Sequence, residues 1–424
     1  MGDYGRNHIT EDEQMTNRQA AIKIIKRLQR NGFQALLAGG CVRDMLLGRR
    51  AKDYDVATDA RPKDVIKMFK HTLKVGAKFG VVIVLIEGRQ VEVATFRTET
   101  GYADGRHPSA VEFTGAAEDA GRRDFTINGM FYDPLQKEVI DYVDGRSDLK
   151  AKIVRTIGRP AERFAEDYLR MLRAVRFCTQ LGFAIEPSTW LAICSNAKNI
   201  TRISGERTSI ELEGILAGAN RSAGASMLIK SGLAEAVFPC FVGEQVKFAV
   251  SVLSQLRRKV DFALALACLF AGCETEFAIE KCRVLKLSRS QNKHIKFLLS
   301  NRGTLLNERM SLAELKKILA EPYFWDLYEL ERAIQKAKQS LDRKGGVALS
   351  KLRKRIKALG DVELRPKPLL NGHDLIRLGA VPGPSLGQLA EELYIAQLEG
   401  KLQTPQQAQQ WAQKWLQKHR VIEK

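Results

Sequence analysis

The pattern of apolar and polar positions changes character once along the chain, near Asp141. Ahead of that point, Thr16 to Asn31 reads as a leading helix, and strands alternating with helices are expected from Gln34 to about Val139. Gln34-Ala-Leu-Leu-Ala38 is an uninterrupted apolar run of strand length. Asp53-Tyr-Asp-Val-Ala57 reads as a second strand, in which a period of two puts Asp53 and Asp55 on one face and Tyr54 and Val56 on the other. Gln90-Val-Glu-Val-Ala-Thr-Phe96 alternates in the same way, with Val91 and Val93 facing one side and Glu92 the other. From Asp141 onward strand signals fade, and helical patterns broken at Gly182, Pro187, Gly232 and Pro239 predict helices to the end, with a hinge at Gly345-Gly346.

The turn after the first strand carries the first candidate chemistry. Gly39 and Gly40 let the backbone approach a phosphate, and Val42 to Leu47 opens a helix whose free N–H groups favour anions, so the turn can cradle a triphosphate. The strand that follows presents Asp53 and Asp55 as two hard oxygen donors on one side, the ligand type that magnesium requires. Glu92 is placed to join them as a third carboxylate. An ordinary turn, a solvated strand edge and a surface glutamate would account for the same residues one at a time.

Arg163-Phe-Ala-Glu-Asp167-Tyr-Leu-Arg170-Met-Leu-Arg173-Ala-Val-Arg176-Phe-Cys178 holds no Gly or Pro and predicts a helix of several turns. At about 100° per residue, Asp167, Arg170 and Arg173 share one polar arc, while Arg176 falls nearer Leu169. Cytosine and adenine both present an amino donor beside a ring-nitrogen acceptor, whereas uracil and guanine present a carbonyl beside a ring N–H. Asp167 accepting from the amino group and Arg170 donating to the ring nitrogen would select C and A with protein alone as template. A solvated Asp-x-x-Arg ion pair is the plain alternative.

Taken together, Gly39-Gly40-x-Val42-Arg43-Asp44, Asp53-x-Asp55, Glu92 in Val-Glu-Val-Ala-Thr-Phe-Arg97, Arg122-Arg123-Asp124-Phe-Thr-Ile-Asn128 and Glu166-Asp167-x-x-Arg170 resemble the ordered motifs of class II CCA-adding enzymes and bacterial poly(A) polymerases. The segment from Leu369 to Gly379, with Pro382-Gly-Pro384 and Gln397-Leu-Glu-Gly400, is similar to the tail of the CCA-adding branch, as is Val75 to Val82. The resemblance implies an α+β fold: a nucleotidyltransferase head with a small mixed sheet at 16–140, then an all-helical neck at 141–205, body at 206–300 and tail at 301–424. It implies Asp53, Asp55 and Glu92 as catalytic carboxylates, with Asp53 and Asp55 holding Mg2+. It implies nucleotide contacts from Gly39, Gly40, Arg43, Arg123, Asp124 and Asn128, and a base-binding helix bearing Asp167, Arg170, Arg173 and Arg176. The polar stretch Thr98 to Pro108 is expected to be a mobile loop that helps the change from C to A. The implied activity is template-independent addition or repair of the 3′ CCA of tRNA from CTP and ATP, by two-metal nucleotidyl transfer with release of pyrophosphate. A poly(A) polymerase and a CC-adding or A-adding enzyme share this chemistry and stand as alternatives. An RNA-binding homologue without catalysis is a more distant one, and it would have no use for the three carboxylates.

Charge adds a partner. The 424 residues carry a formal net charge of +19, and between Lys281 and Gly360 there are 20 Lys and Arg against 7 Asp and Glu. Helices that needed only solubility would interleave acids, so this stretch points to RNA held away from the chemistry. Seven scattered cysteines, none in a C-x-x-C pair, predict reduced thiols in a cytoplasmic protein rather than a disulfide framework or zinc site. No stretch approaches a membrane span, the six histidines lack metal spacing, and no protein partner is expected.

Overall fold

The computed structural model describes residues 15–74, 76–100, 110–257, 259–338 and 344–420. They form two compact units. The first runs to Gly243 and takes in Lys281–Leu287; the second comprises Glu244–Glu280 and the chain from Ser288.

The first unit opens with helix α1, Asn17–Arg30, as the sequence predicts. Thr16 caps it in a capping box with Gln19, and Ala20, Ala21, Ile24, Ile25 and Leu28 form its buried stripe. Its sheet has seven strands in the order β3-β4-β5-β2-β1-β8-β9. These are β1 Ala35–Ala38, β2 Asp55–Thr58, β3 Thr72–Leu73, β4 Val81–Ile86, β5 Arg89–Thr95, β8 Phe131–Asp133 and β9 Glu138–Ile140, while β6 Arg97–Thr100 and β7 Ala110–Phe113 pair separately. The sheet is mixed: β2 and β5 run parallel, and the other pairings are antiparallel.

Two registers position the chemistry. Antiparallel pairing sets Asp55 opposite Ala38, at the mouth of the Gly39-Gly40 turn. Parallel pairing sets Val56 beside Val93, so Asp55 and Glu92, each one residue earlier, occupy matching positions on one face. The second strand is shorter than expected. It starts at Asp55 rather than Asp53, because β1 ends at Ala38 and offers Asp53 no partner. The expected loop from Thr98 is also narrower: β6 extends to Thr100, and residues 101–109 lie outside the described residues.

Between these strands lie α2 Gly40–Leu46, α3 Pro62–Met68 and α4 Ala116–Gly121. There follow α5 Gly145–Ala151, α6 Pro160–Glu166, α7 Leu169–Leu181, α8 Pro187–Asn196 and α9 Gly205–Leu216. One exception to the all-helical expectation is a two-residue parallel pair, Ile153–Val154 with Ala184–Ile185.

The second unit is helical throughout its named elements. Its Phe262–Leu269 helix is buried at every position, and Leu375, Leu389, Leu393 and Trp415 centre another core. The proposed hinge at Gly345-Gly346 is not one. Both glycines lie inside the helix Lys344–Leu359, and a Cβ on Gly345 would come within 1.9 Å of the Gln335 side chain. The glycine there permits close packing. Among the described residues no helix is long and apolar enough to cross a membrane.

Candidate active site

Gly39 caps α2 with φ 74° and ψ −132°, a conformation open to glycine and strained for other residues. A Cβ there would also meet the Arg123 guanidinium at 3.1 Å. Two constraints thus fix one glycine: the sharp exit from β1 and the close approach of an arginine. Helix α2 begins at Gly40, two residues earlier than the sequence reading placed it.

Asp55 sits where three carboxylates crowd. Burial, then the charges of Glu92 and Asp53, push its carboxyl up to about 6, against the pull of Arg123. Asp53 and Glu92 are both exposed and stand beside the cavity rather than lining it. Among the described residues no three His, Cys, Asp or Glu side chains converge closely enough to hold an ion together.

Beyond the carboxylates, one polar chain joins the sheet to α7. Arg43 donates through Nη1 to Asn128 Oδ1 at 2.7 Å and through Nε to Asp44 at 2.9 Å. Asn128 in turn donates to Asp124 Oδ1 at 3.2 Å, and Arg173 donates to Asp124 Oδ2 through Nε at 2.9 Å and Nη2 at 2.5 Å. Burial raises the Asp124 carboxyl, but the charge and hydrogen bonds of Arg173, with help from Asn128, outweigh it and hold it at about 2. Arg123 and Arg122 bracket Asp119 in the same manner. Burial pushes the Asp119 carboxyl up, and the two guanidiniums bring it below the usual carboxylate range.

The predicted single helix over Arg163 to Cys178 is two helices. Asp167 breaks it in an extended conformation, φ −152° and ψ 104°, and its Oδ1 accepts from the Leu169 N–H at 3.0 Å. A short carboxylate that can bond its own backbone competes with helical continuation and starts α7 instead. Asp167 therefore reaches the cavity from a turn, not from a helical arc. Its partner is Arg207 of α9, whose Nη2 donates to Oδ2 at 2.6 Å, rather than Arg170. Arg170 uses Nη1 on Glu166 and on the Arg163 carbonyl. Arg176 points elsewhere, donating to Glu211 of α9 at 2.5 Å and to Gln180 of its own helix at 3.2 Å.

These elements enclose a cavity of about 460 Å³. Gly39, Gly40, Arg43, Asp55, Arg123, Asp124, Asn128, Asp167, Arg170 and Arg173 line it, so ten of the residues singled out from sequence meet at one place, while Asp53, Glu92 and Arg176 do not line it. Arg122, Leu169, Phe177 and Arg207 complete the wall and were not singled out as site residues. Phe177 stacks edge-on against Phe125 with centroids 5.7 Å apart, under the guanidiniums of Arg43 and Arg173. The only trace of Arg207 in the sequence is indirect: Asp167 needs a cation once its helix is broken.

Arg173→Ala is expected to strand the Asp124 carboxylate. About a third of the Arg173 side chain is exposed, so the loss should be on the order of 2 kcal/mol rather than the 3–5 of a fully buried pair. Because the folded carboxyl is depressed, the pair's contribution is present above about pH 4 and disappears as the pH falls toward 2. Thermal unfolding of both proteins at pH 7 and near pH 2 checks this: the difference should shrink on acidification.

The site has parallels in known proteins. Residues 35–155 match the family described as "Poly A polymerase head domain", and residues 182–242 match "Probable RNA and SrmB- binding site of polymerase A". The chain is 35% identical over 388 residues to the CCA-adding enzyme of Lacticaseibacillus paracasei, covering 91% of this chain and 93% of that protein. It is 34% identical over 397 residues to that of Geobacillus stearothermophilus, covering 91% and 94%. The solved CCA-adding enzyme of Bacillus stearothermophilus in complex with CTP shares the fold with a TM-score of 0.78 and 29% identity, over 97% of this chain and 99% of that one. With about nine-tenths of its length aligned to these relatives at about one-third identity, the chain belongs to the family of CCA-adding enzymes.

Proposed function

We propose that this protein adds or repairs the 3′-terminal CCA of tRNA, using CTP and ATP without a nucleic-acid template. The observation that supports this reading is the meeting, in one cavity, of the Gly39-Gly40 turn, the Asp55 carboxylate, the guanidiniums of Arg43 and Arg123, and the side chains of Asp167 and Arg170. Gly39 and Gly40 admit the triphosphate to the backbone, and Arg43 and Arg123, each already oriented by a carboxylate, offer guanidinium faces to its phosphates. Asp167 keeps acceptor capacity beyond its bonds to Arg207 and Leu169, and Arg170 keeps Nε and Nη2 for a base edge. Phe177 closes the cavity floor as an apolar surface.

The acidic cluster fits a divalent cation. Its donors are hard oxygens, and the Asp55 carboxyl is raised first by burial and then by the charges of Glu92 and Asp53, which Arg123 only partly offsets. We assign Mg2+ to Asp53 and Asp55, with Glu92 contributing through its charge. When bound, the ion would lower the barrier to attack by the RNA 3′-hydroxyl and stabilise the departing pyrophosphate. The chain's own groups align the nucleotide for in-line displacement and form no covalent intermediate.

RNA would be held mainly outside this cavity, by the stretch matching the RNA-binding family at 182–242 and by the basic helices of the second unit. The functional division we propose is a head at 16–140, neck at 141–205, body at 206–300 and tail at 301–424. None of the seven cysteines is in a disulfide, which suits a reducing cytoplasmic setting.

A tRNA transcript lacking CCA, given CTP, ATP and Mg2+, should gain three nucleotides. A long homopolymer from ATP alone would favour the poly(A) alternative. Reversing Lys351, Arg353 and Lys354 to Glu, on the helix Lys344–Leu359, should weaken RNA binding about tenfold or more and flatten its salt dependence by roughly one unit per lost phosphate contact. An unchanged salt slope would make that helix a solvated face.

A further inference from the structure

A second cavity of the first unit, about 550 Å³, is lined by Arg18, Arg50, Lys52, Arg89 and Tyr54 together with Thr16, Asn17 and Ala51. Among the described residues no carboxylate lines it. Arg18, Arg50 and Lys52 are exposed, and among the described residues none of the four cations forms an ion pair. Arg89 is fixed through Nε, which donates to the Met15 carbonyl at 2.7 Å. Lys23, also on α1, pairs instead with Glu87.

The arrangement costs stability, which is what marks it. Arg18 stands in the first turn of α1, where the helix dipole disfavours a cation, and that turn contains no acid. The capping box there uses the neutral Gln19. Arg50, Lys52 and Arg89 add repulsion from other parts of the chain. Like charges gathered without a counter-charge among the described residues point to a ligand that relieves them. That ligand is anionic. The guanidiniums match phosphate oxygens in pairs, and Tyr54 adds a ring against which a sugar or base can lie. Lys52 and Tyr54 flank Asp53 in the chain, but this cavity shares no lining residue with the nucleotide cavity.

We propose that this cavity binds a backbone phosphate of the RNA substrate, back from the reacting 3′ end and separate from the nucleotide cavity. The proposal rests on the reading of the protein as an RNA-extending enzyme. Its test is direct binding, which needs no turnover. Arg18→Gln/Arg50→Gln and a control, Lys63→Gln/Lys67→Gln on the exposed face of α3, remove equal charge from the same unit. Fluorescence anisotropy with a labelled tRNA transcript lacking CCA, from about 50 to 200 mM KCl, should show affinity about tenfold weaker for the first variant and a salt slope lower by roughly 1. The control should stay near wild type, CTP affinity should be unchanged in both, and saturating RNA should restore full extension.

Wild-type affinity and slope in the first variant, or an equal loss in the control, would overturn the proposal. So would unchanged RNA binding with weakened calorimetric binding of inorganic pyrophosphate, which would give the cavity to a free anion. If wild-type protein extends no transcript, the enzymatic reading fails, and the binding comparison still decides whether RNA occupies this cavity.

Discussion

Asp55→Asn is expected to abolish nucleotide addition and at the same time to stabilise the fold. The carboxylate stands at the mouth of the glycine turn and beside Glu92, so its loss removes both ion binding and the charge that positions it. Losing one electrostatic stabiliser of a transition state costs at least about 10²- to 10³-fold in rate. The stability change runs the other way. The folded carboxyl is raised to about 6, so the fold binds a proton more readily than the unfolded chain, and the ionised group destabilises the fold increasingly as pH rises from about 4 through 6. Asparagine removes the cost of desolvating that charge and its repulsion from Glu92 and Asp53. Because the surface of Asp55 is exposed to solvent, which screens these charges, the gain should be on the order of 1 kcal/mol at pH 8, vanishing near pH 4. Thermal unfolding without added metal, with addition assayed in parallel, reads both effects. An inactive variant that is also less stable at pH 8 would indicate structural damage and withdraw the electrostatic account.

Arg170→Ala is expected to change which nucleotide is chosen. Nη1 of Arg170 is committed to Glu166 and the Arg163 carbonyl, so the guanidinium plane is held while Nε and Nη2 stay available. Losing a charged donor from a desolvated contact costs about 1.5–3 kcal/mol, roughly ten- to a hundredfold. C and A incorporation should fall by that factor while U and G rise relative to them. A variant uniformly slower with all four nucleotides, in the wild-type order, would reduce Arg170 to supporting Glu166 and the α6–α7 turn.

Both predictions bear on what the sequence could reveal. Alternation in Gln90 to Phe96 placed Glu92 on the polar face, because side-chain period depends only on local geometry. It could not show that β2 and β5 pair in parallel and bring Glu92 beside Asp55, since register is a long-range property. The same limit hid the end of β2: Asp53 has strand-like neighbours but no paired backbone. In Arg163 to Cys178 the absence of Gly and Pro suggested one helix, yet Asp167 bonding its own backbone prevailed over propensity. The helical arc shared by Asp167 and Arg170 therefore does not exist, although both side chains still meet in the cavity. Arg207 was invisible because its tie to Asp167 spans 40 residues. Arg176 looked like its helix neighbours and instead joins α7 to α9 through Glu211.

The most direct measurement of the central claim uses three tRNA transcripts, ending before CCA, after C and after CC, each offered CTP, ATP, UTP and GTP separately with Mg2+. The account predicts that the first two accept only CTP and the third only ATP, with no further growth and no added template. Acceptance of ATP at all three ends, continued growth past A, or incorporation of UTP or GTP at comparable rates would contradict it.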